Sequence, residues 1–459
     1  MTDTAFSILP LPAAQLDNLD SLGYRRMTAI QAASLPLAMS GKDLIGQAMT
    51  GSGKTAAFAL PLLARLNPRD FGTQALVLCP TRELAGQVAS EIRRLARYQQ
   101  NIKVVTLCGG QAIGPQIGSL EHGAHVVVGT PGRIKDHLRK QTLDLSRVNC
   151  LVLDEADRML EMGFMEDMET IIGQTPTGRQ TLLFSATFPS DIQAMSARFQ
   201  QAPERVSVES LVQDEQIDQQ FFICQPEGRM AALVKLLSHY GPEAAVVFCN
   251  TKQVVREVTA FLQQQGIAAA ELHGDMEQRD RDRVLVQFRQ QSCRVLVATD
   301  VAARGLDIEN LPAVVNFELP RSAEVYVHRI GRTGRGGKSG LALSLFADNE
   351  RYRLDSIEKF QQRDLPFEAI QALTGHTNGM QPPAYVTLAV AGGRKDKIRP
   401  GDILGALTGE AGIAASAVGK IDVTDQATYV AIASDTADRA LGQLINGRIK
   451  GRKFKVRKL

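Results

Sequence analysis

The chain has 459 residues, 44% of them hydrophobic and 22% charged, with a formal net charge of +3. That length exceeds what one hydrophobic core serves and points to about three domains, and no apolar run approaches the roughly 20 residues of a membrane span. The six cysteines have no paired metal spacing, which excludes a disulfide framework or a zinc ribbon, and Met1-Thr2-Asp3-Thr4-Ala5 lacks the basic start of a secretory leader, so a reduced, cytoplasmic protein is expected.

The charge is unevenly spread. Residues 384–459 carry 13 Lys+Arg against 7 Asp+Glu, whereas residues 1–383 have a small acidic excess. A basic face is often no more than a solvated surface, so the imbalance gains meaning only from its setting.

In chain order, the opening segment offers Phe6, a helix-like stretch ending at Gly23-Tyr24, and then Thr28-Ala29-Ile30-Gln31. A glutamine amide both donates and accepts, which is what the edge of an adenine presents. Gln31 is therefore a base-reading candidate and Phe6 a stacking surface. Asp43-Leu44-Ile45-Gly46 reads as a buried strand, Ala48-Met49-Thr50-Gly51-Ser52-Gly53-Lys54-Thr55 follows, and Ala56 to Leu60 opens a helix. Strand, glycine-rich turn and helix make a phosphate-binding loop. Gly51 and Gly53 turn backbone N–H groups onto an anion, Lys54 adds a mobile charge, and the Thr55 hydroxyl can ligate Mg²⁺. Ala48 stands where the general pattern has Gly, so the loop's weight rests on what lies downstream.

Short apolar strands then alternate with helical stretches. Ala75 to Cys79 leads to Pro80-Thr81-Arg82-Glu83-Leu84, Val126 to Gly129 leads to Thr130-Pro131-Gly132-Arg133, and Leu151-Val152-Leu153 runs into Asp154-Glu155-Ala156-Asp157. This alternation predicts a parallel sheet whose strand ends gather into one ligand-binding edge. Asp154 is placed to hold Mg²⁺ and Glu155 to deprotonate an attacking water. Around Ser207 to Gln220 the pattern loosens into polar residues, a predicted linker. A second series follows: Ala244 to Cys249 ends at Asn250-Thr251, Ala268 to Leu272 at His273-Gly274, and Arg294 to Ala298 at Thr299-Asp300. It has no phosphate loop of its own. It carries His328-Arg329-Ile330-Gly331-Arg332-Thr333-Gly334-Arg335, in which Arg332 and Arg335 are spaced to serve one target as arginine fingers supplied in cis.

These segments, together with Ser185-Ala186-Thr187 and Ala298 to Asp307, resemble in order the motifs of the DEAD-box RNA helicases, and Ala48 agrees with that family's phosphate loop. The resemblance covers residues 6 to about 360 and implies an α/β fold: two RecA-like parallel-sheet domains closing over ATP, Mg²⁺ and single-stranded RNA. It implies an ATP site of Phe6, Gln31, Thr50, Gly51, Ser52, Gly53, Lys54, Thr55, Gly305 and Asp307, with Thr55 and Asp154 on the metal side and Glu155 as base. Lys54, Arg332 and Arg335 would complete catalysis. Ser185, Thr187 and His328 would couple hydrolysis to strand separation. RNA would meet Thr81, Arg82, Gly110, Thr130 and Arg133 in the first domain, and Thr251, His273, Gly274, Arg279 and Thr299 in the second.

Pro382-Pro383 opens a smaller unit. Strands are expected at Val386–Val390, Val418–Val423, Thr428–Ile432 and Phe454–Arg457, with helices at Arg399–Leu407 and Asp435–Asn446. That order, βαββαβ, is shared by many small α+β sandwiches, the RNA-recognition module among them. Stacking aromatics are scarce, Tyr429 being the one candidate at a central-strand position. The basic surface is the better RNA platform: Lys397 and Arg399 on one loop, and seven basic residues with no acid between Arg448 and Lys458, including Arg452, Lys453 and Lys455. The arrangement resembles a bacterial subgroup of the same family, which implies a 23S-type ribosomal RNA hairpin as partner, a pre-ribosomal particle as setting and no membrane. The expected organisation is a first domain at 1–207, a linker at 208–218, a second domain at 219–370, a linker at 371–383 and an RNA-recognition-like domain at 384–459.

Overall fold

The computed structural model describes residues 4–48, 51–188, 190–208, 217–303, 311–334, 339–373, 380–409 and 412–459. Its first sheet is built from β1 (Leu44–Gln47), β2 (Ala75–Leu78), β3 (Val104–Leu107), β4 (Val126–Gly129), β5 (Cys150–Leu153), β6 (Gln180–Ser185) and β7 (Glu204–Ser207). Their order is β3-β4-β2-β5-β6-β1-β7, all pairs parallel. Runs such as Ala75-Leu76-Val77-Leu78 and Cys150-Leu151-Val152-Leu153 are buried throughout. A parallel strand covered on both faces by crossover helices has no wet side, so its sequence loses the polar alternation of an exposed strand. Two hydrophobic clusters result, one on each face: Phe58, Leu62, Val77 and Val152 belong to one, and Leu76, Val127, Leu151 and Met168 to the other.

The second sheet repeats the design with β8 (Ile217–Ile223), β9 (Ala245–Cys249), β10 (Ala269–Leu272), β11 (Val295–Thr299), β12 (Ala313–Asn316), β13 (Gly340–Phe346) and β14 (Phe367–Ala369), in the order β10-β11-β9-β12-β13-β8-β14. The chain divides by contact density into two compact units, the first holding residues 1–211 with the second sheet in the other.

The third sheet is antiparallel and small: β15 (Tyr385–Val390), β16 (Val418–Val423), β17 (Thr428–Ala433) and β18 (Val456–Lys458), ordered β16-β17-β15-β18. The helices Pro400–Thr408 and Ala437–Asn446 complete the expected βαββαβ order. Leu388, Val390, Val430 and Ile432 pack with Ile403, Leu407, Ala440 and Leu444 of these helices. The alternate strand positions must then face away from the helices. Two of these, Thr387 and Ala431, are nevertheless buried, at 0% and 2% exposure. The cover comes from the second domain. Gln290 donates from Nε2 to Asp422 Oδ2 (3.0 Å) and to the Tyr429 carbonyl (3.2 Å), and its Oε1 accepts from the Thr387 hydroxyl (3.0 Å). Ser292 Oγ lies 2.6 Å from Thr387 Oγ1, and Arg294 donates to the Pro382 carbonyl.

Candidate active site and RNA-facing edges

The phosphate loop emerges from β1 and enters the helix Lys54–Ala64. Gly51 and Gly53 have φ of +81° and +93°, the left-handed region where a side chain is strained. Space at Gly53 is also closed, since an added Cβ would lie 2.5 Å from Gln31 Nε2. Gln31 is 1% exposed. Its Nε2 donates to the Gly53 carbonyl (3.0 Å) and its Oε1 accepts from the Thr28 amide (3.0 Å). The glutamine expected to read a base thus also ties the loop to the start of the helix Ala29–Met39. Phe6 is buried, edge-on to Tyr24 with ring centroids 6.1 Å apart, and belongs to the hydrophobic cluster of the first domain.

The acidic pair sits at the end of β5. Asp154 is 3% exposed, and burial pushes its carboxyl up to about 7 against the opposing pull of the Lys54 ammonium. Among the described residues its Oδ1 has no hydrogen-bond partner, and neither has the buried Nζ of Lys54. Glu155 adopts φ +51° and ψ +52°, a left-handed conformation that a non-glycine residue takes at a cost of about 1–3 kcal/mol, and it precedes the helix Ala156–Glu161. Asp157 Oδ2 accepts from both the amide and the hydroxyl of Thr187, each at 3.0 Å. Ser185 is fully buried, its carbonyl accepts from the Ala48 amide at 3.0 Å, and its Oγ has no partner among the described residues. Three adjacent strands, β5, β6 and β1, therefore deliver the acidic pair, the Ser185–Thr187 turn and the phosphate loop to one edge.

A buried ammonium and a buried carboxylate oxygen, both without hydrogen bonds, are costly unless a ligand completes them. A triphosphate with a divalent cation fits that need: its oxygens suit Lys54 and the loop amides, and the cation suits the hard oxygens of Thr55 and Asp154.

The other half of the same edge lies past β2. Thr81 caps the helix Arg82–Leu95, accepting from the Leu84 amide, and Arg82 packs so closely on Gly110 that an added Cβ would come 2.0 Å from its Nη1. Arg133 donates from Nη2 to the Gln111 carbonyl at 2.8 Å, and the Thr130 amide donates to Leu107. Thr81, Arg82, Gly110, Thr130 and Arg133 are thereby gathered at the ends of β2, β3 and β4.

The second domain gathers its candidates in the same way, at the ends of the neighbouring strands β10, β11 and β9. Thr251 caps the helix Lys252–Gln264 through the Val254 amide. His273, 2% exposed, accepts at Nε2 from Arg256 Nε (3.3 Å). Gly274 and Arg279 are exposed and Thr299 is half-buried at the end of β11. His328 is half-buried on the helix Ala323–Ile330, and Arg332 is 8% exposed just beyond it. Thr50, Gly305, Asp307 and Arg335 lie outside the described residues.

Two residues with structural consequences for the site escaped the sequence reading. One is Asp157, the partner of Thr187. The other is Arg329, 2% exposed, whose guanidinium donates to both carboxylate oxygens of Asp300 (2.6 and 2.8 Å), to Asn316 Oδ1 (3.1 Å), to Asn250 Oδ1 (2.9 Å) and to the Glu318 carbonyl (2.7 Å). Its signal was its register: Ala323, Tyr326 and Ile330 mark the buried face of that helix, and Arg329 falls on it.

In the third domain Lys450 Nζ donates to the Lys397 carbonyl at 2.9 Å, joining the loop of Lys397 and Arg399 to the basic terminal segment. Arg399, Arg452, Lys453 and Lys455 are exposed. Tyr429 is half-buried, and its carbonyl is held by Gln290.

Residues 28–195 match the DEAD/DEAH box helicase family, residues 228–337 the helicase conserved C-terminal domain and residues 387–458 the DbpA RNA binding domain. The chain is 51% identical to the ATP-dependent RNA helicase DbpA of Escherichia coli (strain K12) over 457 residues, 99% of this chain and 100% of that one. It is 44% identical over 348 residues to the DEAD-box ATP-dependent RNA helicase CshA of Bacillus subtilis (strain 168), covering 76% of this chain and 70% of that protein. Among solved structures, S. cerevisiae Dbp5 bound to RNA and ADP BeF3, in its L327V form, superposes with a TM-score of 0.73 at 30% identity over 81% of this chain and 97% of its own. The chain belongs to the DEAD-box ATP-dependent RNA helicases, as a member that carries a DbpA RNA-binding domain.

Proposed function

We propose that this helicase hydrolyses ATP at the β5-β6-β1 edge of its first domain in response to single-stranded RNA, and that its third domain holds it on structured RNA. The observation that carries the reading is the pair of buried groups, Lys54 Nζ and Asp154 Oδ1, that have no hydrogen-bond partner among the described residues, at one edge of the first sheet. Lys54 and the amides of the phosphate loop, with Thr50 and Ser52, bind the phosphates, while Gln31 and Phe6 serve the base side and Gly305 and Asp307 the ribose side. Thr55 and Asp154 hold Mg²⁺, which neutralises phosphate charge. Glu155, already fixed in an uncommon backbone conformation, orients and deprotonates the attacking water. Arg332 and Arg335 stabilise the charge that develops on the transferred phosphoryl group. Asp157, by holding Thr187, links the acidic motif to the Ser185–Thr187 turn, and His328 takes part in the same coupling.

RNA engages through its backbone, at Thr81, Arg82, Gly110, Thr130 and Arg133 and at Thr251, His273, Gly274, Arg279 and Thr299. Phosphate contacts of that kind are indifferent to base sequence, so selectivity must come from elsewhere. We assign it to the joined basic surface of Lys397, Arg399, Arg452, Lys453 and Lys455, because the sheet is closed at Thr387 and Ala431. Tyr429 is assigned to the same RNA-binding set. The target is a hairpin of large-subunit, 23S-type ribosomal RNA, met in a pre-ribosomal particle in the cytoplasm. Replacing Arg452, Lys453 and Lys455 together with Ala is expected to weaken binding of such a hairpin and to lower the slope of log affinity against log salt by about 2–3. Filter binding across a salt series measures both. An unchanged slope would place the hairpin on another surface.

A further inference from the structure

In the first domain the turns after β3 and β4 carry Gly110, Thr130 and Arg133, yet Cys108 to Ile113 has no regular secondary structure to hold it. Leu107 and Gly129, the last residues of these two strands, are register partners. What fixes the turn beyond them is a chain of buried polar groups. Gln116, on the helix Gly114–Leu120, donates from Nε2 to the Cys108 carbonyl at 2.9 Å. Its Oε1 faces Nε2 of His137 at 3.4 Å, and Nδ1 of His137 lies 2.8 Å from the Thr142 hydroxyl. His137 is fully buried and Gln116 is 8% exposed.

The protons in this chain have one consistent arrangement. Since the Gln116 amide nitrogen is turned to Cys108, its oxygen faces the ring and requires an N–H on His137 Nε2. The neutral ring then offers a lone pair at Nδ1, and the Thr142 hydroxyl, which also lies 3.2 Å from the His137 carbonyl, donates to the closer nitrogen at 2.8 Å. Burial, with Arg133 beside it, holds the imidazole below its usual range, so that it is uncharged at neutral pH; Lys140 acts in the same direction and Asp136 against it. The direction is fixed from Thr142 through His137 and Gln116 to the Cys108 carbonyl. At the far end of the turn Arg133 donates to the Gln111 carbonyl. The turn is thus held at both ends by the helix Pro131–Arg139 or by a group attached to it.

We propose that Gln116, His137 and Thr142 are positioning residues for RNA: they lock the Cys108–Gln111 turn against the Thr130–Arg133 turn so that Gly110, Thr130 and Arg133 meet the RNA backbone as one preformed surface. This rests on the RNA-contact reading above. The strand order separates the device from ATP, because β2 stands between β4 and β5, which carries the acidic pair. Its loss should therefore raise the RNA requirement and leave nucleotide binding alone.

The test uses the full chain, with a single-stranded homopolymer RNA titrated into a steady-state ATPase assay and a fluorescent ATP analogue titrated without RNA. Gln116→Met, which keeps the length and removes the amide, is expected to raise the RNA concentration for half-maximal activity about tenfold, with the analogue's Kd within twofold of wild type. Thr142→Val is expected to raise it about threefold, and Thr142→Ser, which keeps the hydroxyl, to behave as wild type. Normal RNA saturation in Gln116→Met, a parallel loss of ATP binding, or equal behaviour of the two Thr142 variants would each overturn the proposal. A wild-type ATPase indifferent to RNA would instead overturn the reading on which it rests.

Discussion

Glu155→Gln is expected to lower ATP turnover by about 10²–10⁴-fold, the range attributed to a positioned general base, with ATP affinity within a few-fold of wild type. Glutamine has the size and shape of glutamate but cannot take the proton of water. The backbone there is set by the entry into the helix Ala156–Glu161, in a left-handed conformation that the new side chain does not alter. The groups assigned to phosphate and cation, Lys54, Thr55 and Asp154, are untouched. A loss confined to the chemical step is therefore the signature. Single-turnover hydrolysis with enzyme in excess isolates it, and an unchanged single-turnover rate would remove Glu155 from the role of base.

The second large effect is expected from Arg329→Ala, a loss of about 3–5 kcal/mol in the stability of the second domain. Arg329 is the largest fully buried side chain among the described residues. Its removal leaves Asp300 without its bidentate partner, frees the side-chain oxygens of Asn250 and Asn316, and opens a cavity against Phe248, over whose ring the guanidinium sits at 5.2 Å. Buried polar groups that lose a partner incur their full desolvation penalty. Arg329→Lys is expected to recover little, because an ammonium has three donors on a mobile stem where five N–H groups in a planar fork are required. Asp300 follows Thr299 at the end of β11 and Asn250 precedes Thr251 beyond β9, so the same network sets two of the candidate RNA contacts. Thermal unfolding of the variant and its RNA-stimulated ATPase should therefore fall together. A shift in stability of under about 1 kcal/mol would mean that the network is dispensable.

The fold was legible where physical pattern is strong. Uninterrupted apolar runs before polar switches marked β1, β2, β4 and β5 of the first parallel sheet and β9, β10 and β11 of the second, while the helix expected from Ala56 begins two residues earlier, at Lys54. Alternation in Val386–Val390 and Pro400 at the head of a helix revealed the third domain. What escaped is what sequence order cannot convey. Arg329 stands in a basic cluster and reads as one more surface charge until helical register turns it inward. Gln116, His137 and Thr142 are ordinary residues 21 and 5 positions apart, and their relation exists only after β3 and β4 pair. The sheet of the third domain offered Tyr429 as a platform, yet Gln290 and Ser292, 97 and 95 residues before Thr387, cover that face of the sheet at Thr387. Phe6 reads as a stacking surface for a base, and its packing edge-on to Tyr24 was not legible in the sequence.

Central to this account is an ATP site that works only when RNA is engaged. The most direct test is the ATPase rate of the full chain at saturating ATP, measured without nucleic acid, with a single-stranded RNA that carries the hairpin, and with DNA of the same sequence. We expect RNA to raise the rate at least tenfold and DNA to leave it near the basal value. A rate that is equal in all three, or raised equally by DNA, would contradict it.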